Sequence, residues 1–173
     1  MSKPVLNLAE VEFRNVGHGS NFPGATDAPE KFQARIGDLG RRLGAQKLGY
    51  NLTVVPAGKR AFPFHSHRAN EEMFFVLEGE GEVRIGTATY PIKAGDAICC
   101  PAGGPETAHQ IVNTSKGELK YLAVSTRISP EIAEYPESGK FGVYTEYPSV
   151  DGKPAGFRFI SRPANGINYY DGE

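Results

Sequence analysis

The sequence predicts an all-β domain, on three observations. Glycine and proline are abundant, with Gly 21 and Pro 13 in 173 residues, and long stretches of strong helix formers are missing. From Gly49 onward, apolar runs of four to eight residues alternate with clusters of Gly, Pro, Asn, Ser and charged residues, the punctuation of a meandering sandwich or barrel. The length suits one well-cored domain, and no segment reads as a hinge between two equal halves.

Taken in order, residues 1–45 read as an N-terminal arm and first strands that pack on the barrel. The stretch "NVGHGSNFPGATDAPE" is too rich in Gly, Asn, Pro and Ser for regular structure. "EKFQARIGDLGRRLGA" has an amphipathic helical pattern, but Gly37, Gly40 and Gly44 would each cost about 1 kcal/mol in a helix, so strand or loop is expected. Residues 46–128 form the expected barrel core, through "YNLTVV", "EEMFFVLE", "VRIG", "AICC", "HQIVN" and "LKYLAVST". Within "EEMFFVLE", Glu72, Phe74 and Val76 share one face of the strand while Met73, Phe75 and Leu77 share the other. Residues 129–173 form a C-terminal extension, aromatic and broken by Pro and Gly, expected to pack across the barrel or into a partner subunit, because solvent alone gives such aromatics no reason to be there. No internal duplication is evident, since His-x-His occurs once.

A formal net charge of −1, with both signs mixed along the chain, gives no attraction to nucleic acid or to an anionic membrane. The N-terminus lacks an apolar signal-like stretch, and nothing approaches the roughly 20 apolar residues of a membrane span, so a cytoplasmic location is expected. Cys99 and Cys100 are adjacent, and a bridge between them would be strained. They fit a reducing compartment and read as small apolar residues of a buried strand.

The chemistry concentrates in "FPFHSHRANEEMFFVLEGEGEV". Side chains two apart on a strand share a face, so His65 and His67 can aim at one point. Glu72 opens the next strand and can add a carboxylate oxygen. His109, at the start of "HQIVN", can add a third imidazole. Three neutral imidazoles and one carboxylate suit one divalent transition metal per chain, Zn, Fe, Mn or Ni, with Cu also compatible. Glu71 is expected to face solvent or to accept from a ligand imidazole. His18 reads as an exposed loop residue, and Phe62, Phe64, Phe74 and Phe75 read as core or pocket wall.

These residues carry a resemblance. Gly58, His65, His67, Glu72 and Gly79 resemble the first motif of the cupins, G-x(5)-H-x-H-x(3,4)-E-x(6)-G, and Gly95, Pro101, Gly103, His109 and Asn113 resemble the second, G-x(5)-P-x-G-x(2)-H-x(3)-N. Six residues rather than five separate Gly58 from His65, and five rather than two separate Gly103 from His109, which implies longer loops at the barrel mouth with the ligands intact. The resemblance implies a single-domain jelly-roll barrel, the double-stranded β-helix, with terminal extensions and a metal at its mouth. Asn113 then supports a turn or strand. "EYPESGKFGVY" is similar to a Tyr-Pro-acidic-Ser-Gly-Lys segment of bacterial cupins, some of which carry the label sugar-phosphate isomerase.

The expected function is therefore a metal-dependent enzyme acting on a small molecule, such as a sugar or sugar phosphate to be isomerised. Glu71 or Tyr144 is the candidate base, and Arg60, Arg84 and Lys140 are candidates to bind an anionic substrate. The alternatives are an Fe(II)-dependent dioxygenase and a non-catalytic module that binds a small ligand through its metal. The aromatic tail, with the habit of cupins of pairing through added sheet edges, points to a homodimer.

Overall fold

The computed structural model describes residues 4–20, 27–150 and 153–173, with the side chains of 146–150 and 153–155 outside the description. The arm expected from "NVGHGSNFPGATDAPE" therefore lies partly outside the described residues, at 21–26. In chain order the strands are β1 (Arg14–Gly17), β2 (Gln33–Asp38), β3 (Leu48–Val55), β4 (Ser66–His67), β5 (Glu72–Glu78), β6 (Glu80–Ile85) and β7 (Ala88–Lys93). They continue as β8 (Ala97–Cys100), β9 (His109–Val112), β10 (Leu119–Thr126), β11 (Glu131–Tyr135), β12 (Lys140–Val150) and β13 (Lys153–Ser161). The chain is thus mostly β, and its helix α1 spans Leu39–Leu43.

The ambiguous "EKFQARIGDLGRRLGA" resolves into β2 followed by that single turn. Asp38 caps the turn by accepting from the Arg41 N–H at 3.0 Å, and Gly44 ends it in the left-handed conformation. The glycines that oppose a long helix are what stop this one.

Two layers face each other across the core. One is a six-stranded sheet in the order β1-β2-β3-β10-β5-β8. The other consists of β7-β6-β9 and β13-β12-β11-β4. Those two smaller sheets are joined by an antiparallel bridge between His65 and His109. Val55, Val76, Leu119 and Tyr121 from the first layer meet Val83, Ile92 and Ile111 from the second. Each such buried side chain contributes about 2 kcal/mol. The expected alternation in β5 is present: Phe74 and Val76 are buried, while Met73 and Phe75 are exposed. Outside the six-stranded sheet, Val11 and Leu39 cover Leu52.

Gly79, between β5 and β6, has φ +83°, and a Cβ there would lie 2.3 Å from the Glu118 carbonyl oxygen. The turn that starts the second layer therefore requires glycine. Asn113 is fully buried and holds another turn. Its amide donates to the carbonyls of Val55 and Gly117, and its oxygen accepts from Ser115.

Candidate metal centre

The His65–His109 bridge is where the chemistry sits. The two residues exchange both backbone hydrogen bonds, at 3.2 and 2.7 Å, so their side chains leave the same face and the ring centres are 4.8 Å apart. His67 lies two residues on, its ring 4.9 Å from that of His65. Glu72 comes from β5 in the opposite layer, and its Oε2 lies 2.9 Å from His109 Nε2, 3.5 Å from His67 Nε2 and 3.9 Å from His65 Nε2. The ligand atoms of His65, His67 and Glu72 all fall within 4.8 Å of one another. Below them lies an apolar floor. The Phe74 ring is 5.6 Å from His109, and Tyr121 meets Phe74 edge-on at 5.7 Å.

The protonation pattern fits a cation. The His65 Nδ1–H donates to the Pro63 carbonyl at 2.8 Å, which leaves the Nε2 lone pair facing Glu72. Burial lowers the His65 pKa to about 4, with His109 adding to the effect, so this ring is neutral. Burial also acts to raise the Glu72 pKa, but the hydrogen bond from His109 and the His67 imidazole close beside it outweigh this and hold the group well below the usual carboxylate range. A neutral imidazole lone pair and an ionised carboxylate oxygen thus point into the same space. Both His67 ring nitrogens are buried without a hydrogen-bond partner among the described residues. A borderline divalent ion suits this donor set and its pattern of orphaned nitrogens.

Glu131 holds the loop that carries His67. It is buried and accepts from the backbone N–H groups of Arg68, Ala69, Asn70 and Ile132, and from the Asn70 side chain. Its Oε2 lies 3.7 Å from His67 Nδ1. Burial lowers the His67 pKa, and the carboxylates of Glu72 and then Glu131 more than reverse this, for a net rise. Carboxylates so placed behind a ligand imidazole fix its ring orientation.

The C-terminal sheet forms a wall beside the cluster. His67 pairs with Ala133 on β11, Ala133 with Gly142 on β12, and Gly142 with Ile160 on β13. Alternation therefore places Glu131, Tyr135, Lys140, Tyr144 and Arg158 on the face that carries His67. Contacts agree with this register. Tyr135 stacks on His65 at 6.1 Å, and its hydroxyl lies 3.0 Å from that of Tyr144. Lys140 Nζ sits 5.3 Å from the centre of the Tyr135 ring, and the Arg158 guanidinium 5.3 Å from that of Tyr144. Burial, with Tyr144 beside it, pushes the Tyr135 phenol well above its usual pKa, so it stays protonated. A Cβ on Gly142 would lie 2.6 Å from the Tyr144 hydroxyl, so glycine gives that ring its place.

Two cavities meet here. One of about 280 Å³ is lined by His67, Glu72, Glu131 and Tyr144, among others. A larger one, about 1020 Å³, is lined by Phe62, Pro63, Phe64, Tyr135, Lys140 and Arg158 and reaches the surroundings of His65. Ser125 and Arg127 line both. The smaller cavity is lined by His67 and Glu72 of the donor set and is the candidate reaction site.

Of the residues singled out in the sequence, His65, His67, Glu72 and His109 come together, and Tyr144 lines the same cavity. Glu71 does not join them. It is exposed, because the residue before Glu72 points to the other side of the strand. His18 is exposed as expected. Arg84 is engaged by Glu137 at 2.7 Å and by the Phe64 ring at 3.8 Å, and Arg60 donates to Gln110. Cys100 is buried and Cys99 exposed, and burial raises the Cys100 thiol to about 12. Glu131, Tyr135 and Arg158 were not foreseen. The segment "EYPESGKFGVY" carried the available signal, since it contains Tyr135, Lys140, Gly142 and Tyr144.

Comparison with known proteins agrees with this architecture. Residues 51–125 match the family described as Cupin domain. An uncharacterized protein of Methanocaldococcus jannaschii is 35% identical over 72 residues, which are 42% of this chain and 54% of that protein. An oxalate-binding protein of Thermotoga maritima is 38% identical over 60 residues, 35% of this chain and 47% of that one. The matched stretch thus spans about half the length of these curated relatives. Among solved structures, a candidate sugar phosphate isomerase from Acidithiobacillus ferrooxidans superposes with a TM-score of 0.73 at 23% identity, covering 96% of each chain. A sugar phosphate isomerase of the cupin superfamily from Silicibacter pomeroyi gives 0.72 at 24% identity, over 97% of this chain and 98% of that one. At these identities the likeness establishes the fold, and it extends through both terminal extensions. Residues 51–125, which hold both motifs' candidate donors, are thus similar to the Cupin domain, and the two-layered barrel around them is the fold shared with these structural relatives.

Proposed function

We propose that this protein is a metal-dependent enzyme that isomerises a sugar or sugar phosphate, with the ion held by His65, His67, Glu72 and His109. The observation that carries the reading is the Tyr135–Tyr144 hydroxyl pair, 3.0 Å apart, whose Tyr144 lines the cavity that His67 and Glu72 also line while Tyr135 lines the larger one. Aldose–ketose isomerisation moves a proton between adjacent carbons and needs a group that can take it up and return it. A bound divalent ion would polarise the hydroxy-carbonyl of such a substrate. Tyr144 is the proton-transfer group in this reading. Its side chain lines the cavity, and in this reading the protonated Tyr135 phenol donates to its oxygen as it exchanges the proton. Glu131 keeps the His67 ring oriented, and the Phe74 and Tyr121 floor excludes water from beneath. Two structural relatives described as sugar phosphate isomerases support the assignment.

A second reading, a non-catalytic module for a small carboxylate, is favoured by the likeness to the oxalate-binding protein. The metal-loaded protein, offered a panel of aldoses and aldose phosphates, separates the two. Turnover that falls at least about 100-fold in Tyr144→Phe with metal content unchanged supports isomerisation. Binding of a panel member without turnover under any metal supports the module and removes the isomerase. Phe157 and Phe159, stacked at 6.1 Å and half exposed on β13, are the face we assign to a homodimer. Light scattering that shows a monomer at high concentration would remove that assignment.

A further inference from the structure

We infer that Lys140 and Arg158, on the C-terminal hairpin, form an anion subsite for the phosphate monoester end of an extended substrate whose other end meets the His/Glu cluster. This rests on the isomerase reading for the second half of the statement only.

The larger cavity is lined by six Lys or Arg residues and three Asp or Glu residues. Two of the three acids are already used. Asp38 caps α1, and Glu137 accepts from Arg84. Neither Lys140 nor Arg158 lies within ion-pair distance of a carboxylate among the described residues, a state they share with Lys31, which lines the same cavity and sits over Phe32. Lys140 and Arg158 each meet the face of a tyrosine ring instead. A guanidinium and an ammonium held by aromatic faces keep their hydrogen-bond donors free for a ligand. The positions follow from the hairpin itself. The turn at 136–139, closed by the Ser138 and Gly139 N–H groups on the Tyr135 carbonyl, makes Tyr135 and Lys140 direct partners. Arg158 is the partner of Tyr144.

Distance and charge select the ligand. With strands about 4.8 Å apart and about 3.4 Å per residue, the Lys140 and Arg158 backbones lie about 12 and about 16 Å from that of His67. Long side chains shorten this by several ångströms, leaving a span that a chain of about four to six carbons fills. A two-carbon diacid such as oxalate does not reach both ends. By the same spacing the Lys140 and Arg158 backbones lie about 14 Å apart, a gap their long side chains can close from either side on a phosphate monoester, which carries about two negative charges near neutral pH against one for a carboxylate. Along the path, the Tyr135 and Tyr144 hydroxyls offer hydrogen bonds to the hydroxyls of a polyol.

The test uses the full chain with its own metal and titrates inorganic phosphate and oxalate by calorimetry, with wild type, Lys140→Gln/Arg158→Gln, Lys140→Arg/Arg158→Lys and His67→Ala. Both hairpin side chains project into the cavity rather than the core, so the double variant is expected to keep the wild-type melting temperature. Phosphate affinity is expected to fall about tenfold or more in the Gln pair, to return in the charge-conserving pair, and to persist in His67→Ala. Unchanged phosphate affinity in the Gln pair, loss in His67→Ala alone, or oxalate bound more tightly than phosphate through Lys140 and Arg158 would each overturn the inference. Phosphate binding that depends on the pair, without isomerase turnover, supports the subsite and removes the isomerase. Turnover of a sugar phosphate with unchanged KM in the Gln pair supports the isomerase and removes the subsite.

Discussion

Replacing Glu131 tests the link between loop architecture and metal affinity most directly. The carboxylate accepts from four backbone N–H groups and one side-chain amide while itself buried, so Glu131→Ala strands several donors away from water. Removing one partner from a buried charged network costs about 3–5 kcal/mol. For a chain of 173 residues each kcal/mol moves the midpoint by about 2–4 °C, so a fall of about 6–20 °C is expected. Glu131→Gln keeps the shape and one acceptor oxygen and should lose about 1–3 kcal/mol. Both variants also loosen the His67 ring, whose Nδ1 faces Glu131 at 3.7 Å, and metal affinity should drop about 10–100-fold. Thermal unfolding of the metal-free protein and titration with Zn²⁺ against a competing chelator read the two effects separately. A melting temperature within about 2 °C of wild type for the Ala variant, or undiminished Zn²⁺ affinity in both, would refute the reasoning.

Ligand assignment makes a simpler contrast: His67→Ala and Glu72→Ala should lose bound metal by elemental analysis while Glu71→Ala, altered on the exposed side of the strand, keeps it. Full occupancy in Glu72→Ala would overturn the donor set. The metal-free protein should also show a characteristic pH window. Glu72 is held below its ordinary value of 4.5, so its contribution to stability is present above that pH and is lost as pH falls through the folded value. His67 is raised above 6.5, so its contribution is present below 6.5 and is lost as pH rises through the folded value. The pair therefore stabilises the metal-free fold most between about 4.5 and 6.5, and metal affinity should climb above that range as the His67 proton leaves. Urea unfolding of wild type and Glu72→Gln from pH 3 to 9 checks this, and parallel stability curves would contradict it.

The barrel was legible because its signals are local. Alternation in "EEMFFVLE" dictated that Glu72 and Phe74 face inward, and His-x-His placed two imidazoles on one face whatever the strand's partner. What escaped depends on pairing between distant segments. Glu131 lies 64 residues from His67 in sequence, and only the β4–β11 register makes it the acceptor for residues 68–70. Arg158 reads as an ordinary exposed charge until β13 pairs with β12 and sets it over Tyr144. Glu71 and Glu72 are adjacent and chemically identical, so only the register of one strand separates a donor from a surface group.

The wall formed by β11, β12 and β13 pairs with the barrel's own strands through two rungs, Ala133 with His67 and Glu134 with Ser66, and is further held by the side chains of Glu131, Tyr135 and Glu137. So short a ladder would let the proposed ion site and the proposed recognition surface be inherited separately. Descendants of one ancestor can keep the same four donors, and hence the same reactive centre, while exchanges at Tyr135, Lys140, Tyr144 and Arg158 retune which molecule is admitted. Enzymes of this lineage would then diverge by rewriting the hairpin, with the barrel passed on as common stock.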